Sequence, residues 1–241
     1  MKVLMLDIGG TNVKMMSSGH EGFRKFPSGR GLTAAKMVKG VLEKTEDWTY
    51  DVISLGYPGL VSEGKVKRNP LNLGGGWVDF DYEKALKHPV RIINDAALQA
   101  LASYESGRLL FLGLGTSVGA TLIVDDTVVP LELGNMPLSK SEALMDRLSK
   151  EALNTGGKRR WQKSVARAVE LLRDIFGPDI FQLGGGNAKY IDPVPDKCVL
   201  GDNQDSFRGA LRLWPGADML AEAQTTTWRI KRTPARNGKA K

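Results

Sequence analysis

Cysteine, histidine and long apolar runs are what this sequence has least of. Its 241 residues hold one cysteine and two histidines. Cys198 alone cannot close an internal disulfide, and it excludes a cysteine-cluster zinc site, so no zinc is expected. No stretch is apolar over the roughly twenty residues that a bilayer crossing needs. The N-terminus lacks the basic, apolar, small-residue succession of a secretory signal. A reducing, cytoplasmic setting without a membrane partner is expected. The pattern GxxxxGK[ST] occurs nowhere, which leaves a P-loop NTPase unsupported.

Against these absences stand 41% hydrophobic and 25% charged residues, enough for a packed core in one large domain or two small lobes around a cleft. The formal net charge is +7, but its position matters. The C-terminal stretch "TTTWRIKRTPARNGKAK" carries Arg229, Lys231, Arg232, Arg236, Lys239 and Lys241 and no acid, and without those six the net charge is +1. The basicity therefore belongs mainly to a tail. A solvated, disordered terminus (226–241) is the expectation, with polyanion binding as the alternative.

Hydrophobic patterning gives the order of elements. "MKVLMLDI" and "NVKMMSS" read as strands joined by a Gly-Gly turn. In "LTAAKMVKGVLEKTE", Leu32, Ala35, Val38 and Leu42 fall on one face of a helix. "YDVISLGYPGLV" is a strand breaking into a Gly/Pro loop, and "HPVRIIND" a strand before the Ala-rich helix "AALQALASYES". "RLLFLGLGTSVGATLIVDDTVVP" gives two strands around a Gly/Thr/Ser turn and then a short hairpin. "WQKSVARAVELLRDIFG" is an amphipathic helix, "PDIFQLGGGNAKYI" a strand, glycine turn and helix start, and "SFRGALRLW" a last helix. Each half opens with two strands joined by a polar glycine turn, which predicts an α/β protein of two related lobes. The N-terminal lobe is expected over 1–97, joined by the helix near 203–214, and the C-terminal lobe over 98–225.

Five segments carry candidate chemistry. In "DIGGTNVK", glycine N–H groups can cradle phosphate, Thr11 and Asn12 add neutral donors, and Lys14 adds charge. Asp7 would be repelled by phosphate but can hold water on a phosphate-bound Mg²⁺. "GLGTSVGATLIV" repeats that character with Gly113, Gly115, Thr116, Ser117 and Gly119; its spacing is not the dinucleotide fingerprint. Read alone, either turn is an ordinary hairpin. "LGGGNAK" places Gly184, Gly185 and Gly186 at a strand end, where a flat group such as a base and ribose can approach; a plain strand-to-helix turn fits equally. In "VRIINDAALQALA", Asn94 and Asp95 suit a helix N-cap. Asp95 also suits a general base taking a proton from a hydroxyl nucleophile, with Asn94 on a neighbouring hydroxyl. In "PLELGNMPL", Glu132 and Asn135 can bond vicinal sugar hydroxyls or simply form a polar loop.

Taken in order, "DIGGTNVK", "GYPGLV", "NPLNLGGGW", "IINDAALQALASYESG", "FLGLGTSVGATLIVDD", "DIFQLGGGNAK" and "GDNQDSFRGALRL" resemble the ROK family of sugar kinases. The likeness runs from Met1 to about Trp214, and "RRWQKSVARAVELLRDIFGPDIFQLGGGNAK" looks most like the polyphosphate/ATP glucokinase branch. The resemblance implies the two-lobed actin/hexokinase-like (ribonuclease H-like) α/β fold with a central cleft. It implies a Mg²⁺-dependent kinase that moves a phosphoryl group from ATP or polyphosphate to a hexose such as glucose, and a homodimer. Asp95 would be the base, and Asn94, Glu132 and Asn72 would hold sugar hydroxyls. Gly9, Gly10, Thr11, Gly115 and Thr116 would bind phosphates, Gly184 and Gly185 would lie against the nucleoside, and Asp7 would orient hydrated Mg²⁺. Two features depart from the family. Its sugar loop usually reads Glu-x-Gly-His, and here "ELGN" puts Asn135 at the His position; the Cys/His zinc site of many members is absent. The family also contains repressors with an N-terminal DNA-binding domain. This chain starts at the phosphate strand, so no DNA partner is expected, while a non-catalytic sugar or nucleotide sensor, or a kinase for a non-glucose acceptor, is the alternative.

Overall fold

The structure, a computed structural model, describes residues 1–202, 204–214 and 228–229. The first half comprises β1 (Val3–Ile8), β2 (Asn12–Ser17), β3 (Phe23–Pro27), α1 (Ala34–Lys44), β4 (Val52–Tyr57), the hairpin β5 (Val61–Ser62) and β6 (Lys65–Val66), α2 (Tyr82–Leu86), β7 (Val90–Asn94) and α3 (Asp95–Ser103). The second half comprises β8 (Arg108–Leu114), β9 (Val118–Val124), β10 (Thr127–Leu131), α4 (Leu144–Leu148), α5 (Lys150–Gly156), α6 (Lys158–Phe176), β11 (Ile180–Gly184), β12 (Cys198–Leu200) and α7 (Asp205–Leu211), with β13 (Trp228–Arg229) paired to β10.

The two sheets share one plan. The first has the order β3-β2-β1-β4-β7, and the second has β12-β11-β8-β9-β10 with β13 at its edge. In each, the first three strands form an antiparallel meander and the next two lie parallel to the first. Parallel pairing needs crossover connections, and helices supply most of them. The duplication read from the two glycine turns is therefore a duplication of topology.

Three apolar layers hold the sheets. β1 is buried along its whole length because both of its faces are covered. Leu4, Leu6 and Ile8 join α1, Trp77 and Tyr82 on one side, while Val3 and Met5 face α3 and α7 on the other. Leu110, Leu112 and Leu114 of β8 pack under α6 through Trp161, Val165, Ala168, Val169 and Leu172. These α6 positions follow the three-to-four residue spacing of one helix face. The central layer joins the halves. α3 lies against Leu109, Phe111 and Ile123 of the second sheet, and α7 lies with Val3, Met5 and Val52 of the first. Each half's last helix thus packs on the other half's sheet.

α1 buries Ala34, Met37, Val38 and Val41 and leaves Leu42 exposed, which corrects the predicted face. Thr33 caps the helix by accepting from Lys36 N at 3.3 Å, so Leu32 belongs to the preceding loop. Counting the helix from Leu32 rotated its face. Trp228 and Arg229 apart, the predicted basic tail lies outside the described residues. No helix among the described residues is long and apolar enough to cross a membrane.

The closest contact in the central layer falls at Gly209 of α7, where a Cβ would lie 1.7 Å from the Leu98 carbonyl oxygen of α3. Gly209→Ala is expected to destabilise the protein by about 3 kcal/mol, although alanine normally favours a helix. Gly31→Ala, in open space, serves as the near-neutral control. Urea unfolding of both checks this, and an unchanged midpoint for Gly209→Ala contradicts the packing.

Candidate active site

In both sheets the segments with candidate chemistry lie at the carboxyl ends of β1, β7, β8, β10 and β11, which is where open α/β sheets bind ligands. Parallel pairing of β1, β4 and β7 sets the Gly9–Thr11 turn, the Pro58–Gly59 loop and Asp95 along one edge. The same logic in the second sheet aligns the turn after Leu114, the loop after Leu131 and the turn after Gly184.

Asp95 is the first residue of α3, directly beyond the last residue of β7. Burial pushes its carboxyl up to about 7, and the charge of Asp7 and then that of Glu132 push in the same direction. The hydrogen bond from Ala96 N to Asp95 Oδ1, at 2.9 Å, opposes the shift. Three carboxylates distant in sequence therefore share one field, and the upward shift of Asp95 is in the direction that a general base near neutral pH requires. Asn94 is the N-cap of α3. Its Oδ1 accepts from Ala96 N and Ala97 N at 2.9 and 3.3 Å, and its Nδ2 donates to Gly59 O at 3.1 Å. The capping role is thus present, and it holds the helix start against the Pro-Gly loop.

Asp7 continues the Val3–Met5 face of β1 toward α7. Its Oδ2 accepts from Ser206 Oγ at 3.2 Å and lies 3.5 Å from Lys14 Nζ, directly across the β1–β2 pair. Lys14 thus reaches Asp7 in this structure. Among the described residues, no group of three or more His, Cys, Asp or Glu side chains could hold a metal. That donor set does not make a protein cage. It fits a hydrated Mg²⁺ brought in on phosphates, since Mg²⁺ keeps most of its waters and needs only one or two carboxylates. Asp7 Oδ1, without a hydrogen-bond partner among the described residues, is the free acceptor for such water.

The glycine turns divide into two kinds. At the first, Gly9 N donates to Asn12 O at 3.0 Å, Ser28 Oγ donates to Gly9 O at 2.6 Å, and Thr11 is exposed at the tip. At the second, Gly115 N donates to Ser117 O at 3.2 Å, Lys150 N donates to Gly115 O at 2.7 Å, and Thr116 is exposed. Both present free edges. In the third, packing inside the protein explains two of the glycines. A Cβ at Gly184 would lie 2.4 Å from the Phe111 ring, and one at Gly185, where φ is +80°, would lie 2.7 Å from Leu114 O. Gly186 is exposed and open, so a ligand can approach there.

Next to the first turn, Trp77 anchors the 69–77 loop by donating from Nε1 to Gly74 O at 2.6 Å and from N to Asn69 Oδ1 at 3.0 Å. This brings Asn72 beside the first turn, with its Cβ 4.0 Å from where a Gly10 Cβ would stand. Glu132 and Asn135 are exposed in the loop after β10. The field on Asp95 ties Glu132 to the site, whereas among the described residues no hydrogen bond joins Asn135 to the other candidates. Sequence reading missed Ser206, Ser28 and Gln99. Gln99 Oε1 accepts from Gly185 N at 3.2 Å, linking the third turn to the helix of Asp95. These contacts cross 199, 19 and 86 positions, and no local pattern announces them.

No family model matches the chain. It is 27% identical over 177 residues to a polyphosphate glucokinase of Mycobacterium leprae, covering 67% of this chain and 53% of that protein. It is 32% identical over 143 residues to an N-acetylmannosamine kinase of Vibrio vulnificus, covering 52% and 48%. The chain spans about half the length of the curated relatives it matches. Among solved structures it superposes on an inorganic polyphosphate/ATP-glucomannokinase from Arthrobacter with TM-score 0.75, 23% identity and coverage of 87% and 96%. A ROK family glucokinase from Streptomyces griseus, in complex with glucose and AMPPNP, gives TM-score 0.68, 14% identity and coverage of 87% and 98%. The resemblance read from the motifs is thus met by the coordinates: the chain has the two-sheet α/β fold of ROK-family kinases, and its sequence is similar to polyphosphate glucokinases.

Proposed function

We propose that this chain is a sugar kinase, transferring a phosphoryl group from ATP or polyphosphate to a hydroxyl of a hexose such as glucose. The observation that carries this reading is the placement of Asp95, the first residue of α3 directly beyond β7, on the strand-end edge that also carries the Gly9–Thr11 turn, where burial and the charges of Asp7 and Glu132 push its carboxyl upward. Asp95 takes the proton of the attacking hydroxyl. Glu132, Asn72, Asn135 and the remaining amide hydrogen of Asn94 orient the sugar. The tips at Gly9–Asn12 and Gly115–Thr116 take the phosphates, helped by Lys14. Asp7 would hold a water of a Mg²⁺ brought in with them, an ion that would supply neutralisation of charge on the transferred group. The nucleoside lies by Gly184–Gly186. Asn135 in place of the family's usual His offers a neutral donor and acceptor that cannot become charged.

Asp95→Asn tests the assignment. With Mg-ATP or polyphosphate and a panel of hexoses, kcat is expected to fall roughly 10²- to 10⁴-fold, the usual share of a general base. In the wild type the base works ionised, so kcat/KM should fall about tenfold per pH unit below about 7 and level off above it. Full activity in Asp95→Asn, or no product from any sugar in the wild type, contradicts the proposal.

Gly186→Ala tests the nucleoside position, since the added Cβ has nothing within 4 Å in the protein. Equilibrium binding of ADP is expected to weaken by roughly tenfold with the thermal midpoint unchanged. Unchanged affinity removes this turn from the nucleotide site.

A further inference from the structure

Asp7 Oδ2 is buried against a hydroxyl that comes from the other end of the chain. Ser206 is 3% exposed, lies in the first turn of α7, and donates its Oγ to that oxygen. Four further contacts fix α7 and the residues just after it. Ser54 Oγ of β4 donates to Ala210 O at 2.7 Å, Trp214 Nε1 donates to Ser54 Oγ at 2.9 Å, Arg91 of β7 donates to Leu213 O, and Arg212 donates to Tyr104 O at 2.5 Å. Gly209 adds the close approach to Leu98. The hydroxyl of Ser206 is therefore delivered by a helix with little freedom to move. Lys14 approaches the same Oδ2 from the neighbouring strand. Both partners engage one oxygen of the carboxylate, and the second oxygen is left without a hydrogen bond among the described residues. A carboxylate held through one oxygen has a defined plane, and its other oxygen a defined direction.

We propose that Ser206 is a positioning residue for Asp7. By holding Oδ2, it aims Oδ1 at the water shell of the magnesium that accompanies the donor phosphates. The inference rests on the sugar-kinase reading above and extends it to a residue that the catalytic motifs leave out. Groups that orient a metal-associated carboxylate typically change metal affinity by 10- to 100-fold when removed. Lys14 alone is a poor substitute. Its flexible stem and 3.5 Å separation set charge rather than direction, whereas the hydroxyl of Ser206 sits on a rigid backbone.

The test measures binding rather than turnover. Affinity for ADP is determined by calorimetry with excess EDTA and again with saturating Mg²⁺, and the ratio is the magnesium increment. Wild type, Ser206→Ala, Ser206→Thr and Asp7→Asn are compared. Ser206→Ala is expected to keep the metal-free affinity, with its thermal midpoint lowered by no more than the loss of one buried hydrogen bond, while its magnesium increment falls by roughly tenfold. Ser206→Thr, which retains the hydroxyl, should recover most of the increment; if its added methyl lowers the thermal midpoint, Ser206→Ala decides alone. Asp7→Asn should lose the increment entirely. An increment in Ser206→Ala equal to that of wild type, with Asp7→Asn impaired, overturns the role of Ser206 and leaves the kinase reading standing. If Asp7→Asn keeps the full increment, or wild type shows none, the assignment of Asp7 fails and this inference fails with it.

Discussion

A carboxyl group held beside two others at the mouth of a helix is the constraint on which this site depends. Asp95 would ordinarily be ionised and solvated. Here burial and the charges of Asp7 and Glu132 make its anion costly. The fold accepts that cost because rigid elements surround it. β1 is packed on both faces, α3 is capped by Asn94, and the Lys14 ammonium compensates part of the charge of Asp7.

The duplicated topology explains how residues so far apart in sequence come together. Each five-stranded unit ends in a helix, α3 or α7, and each helix crosses to the sheet of the other unit. The helix starts therefore meet the strand ends that carry the glycine turns. Ser206 at the start of α7 touches Asp7 at the end of β1. Ala96 at the start of α3 lies against Gly119 of β9, where a Cβ would stand 3.0 Å from the Ala96 Cβ. The same exchange that buries the central layer brings the strand ends of the candidate site against the helix starts.

Much of this was legible in the sequence, because strand ends and glycine turns leave local marks. The hairpin at Gly9–Thr11, its counterpart at Gly115–Ser117, the strand before Asp95 and the helix after it all follow from short patterns. Other features do not. β3 is an edge strand whose Phe23, Lys25 and Pro27 are exposed, so it lacks a buried alternation to read. The face of α1 shifts once Thr33 is taken as its cap, because Leu32, buried before the helix starts, then no longer sets its phase. The triple glycine suggested a ligand, yet Gly184 and Gly185 answer to Phe111 and Leu114 inside the protein. Ser206 and Gln99 act across the duplication, where only the assembled fold provides the neighbour.

The most direct measurement is the titration of Asp95 itself, followed by carbon-13 NMR of its carboxyl in the wild type and in Glu132→Gln. A midpoint near 7 in the wild type, moving down when the Glu132 charge is removed, is the predicted result. A midpoint near the ordinary aspartate value of about 4, unmoved by that substitution, would contradict the account.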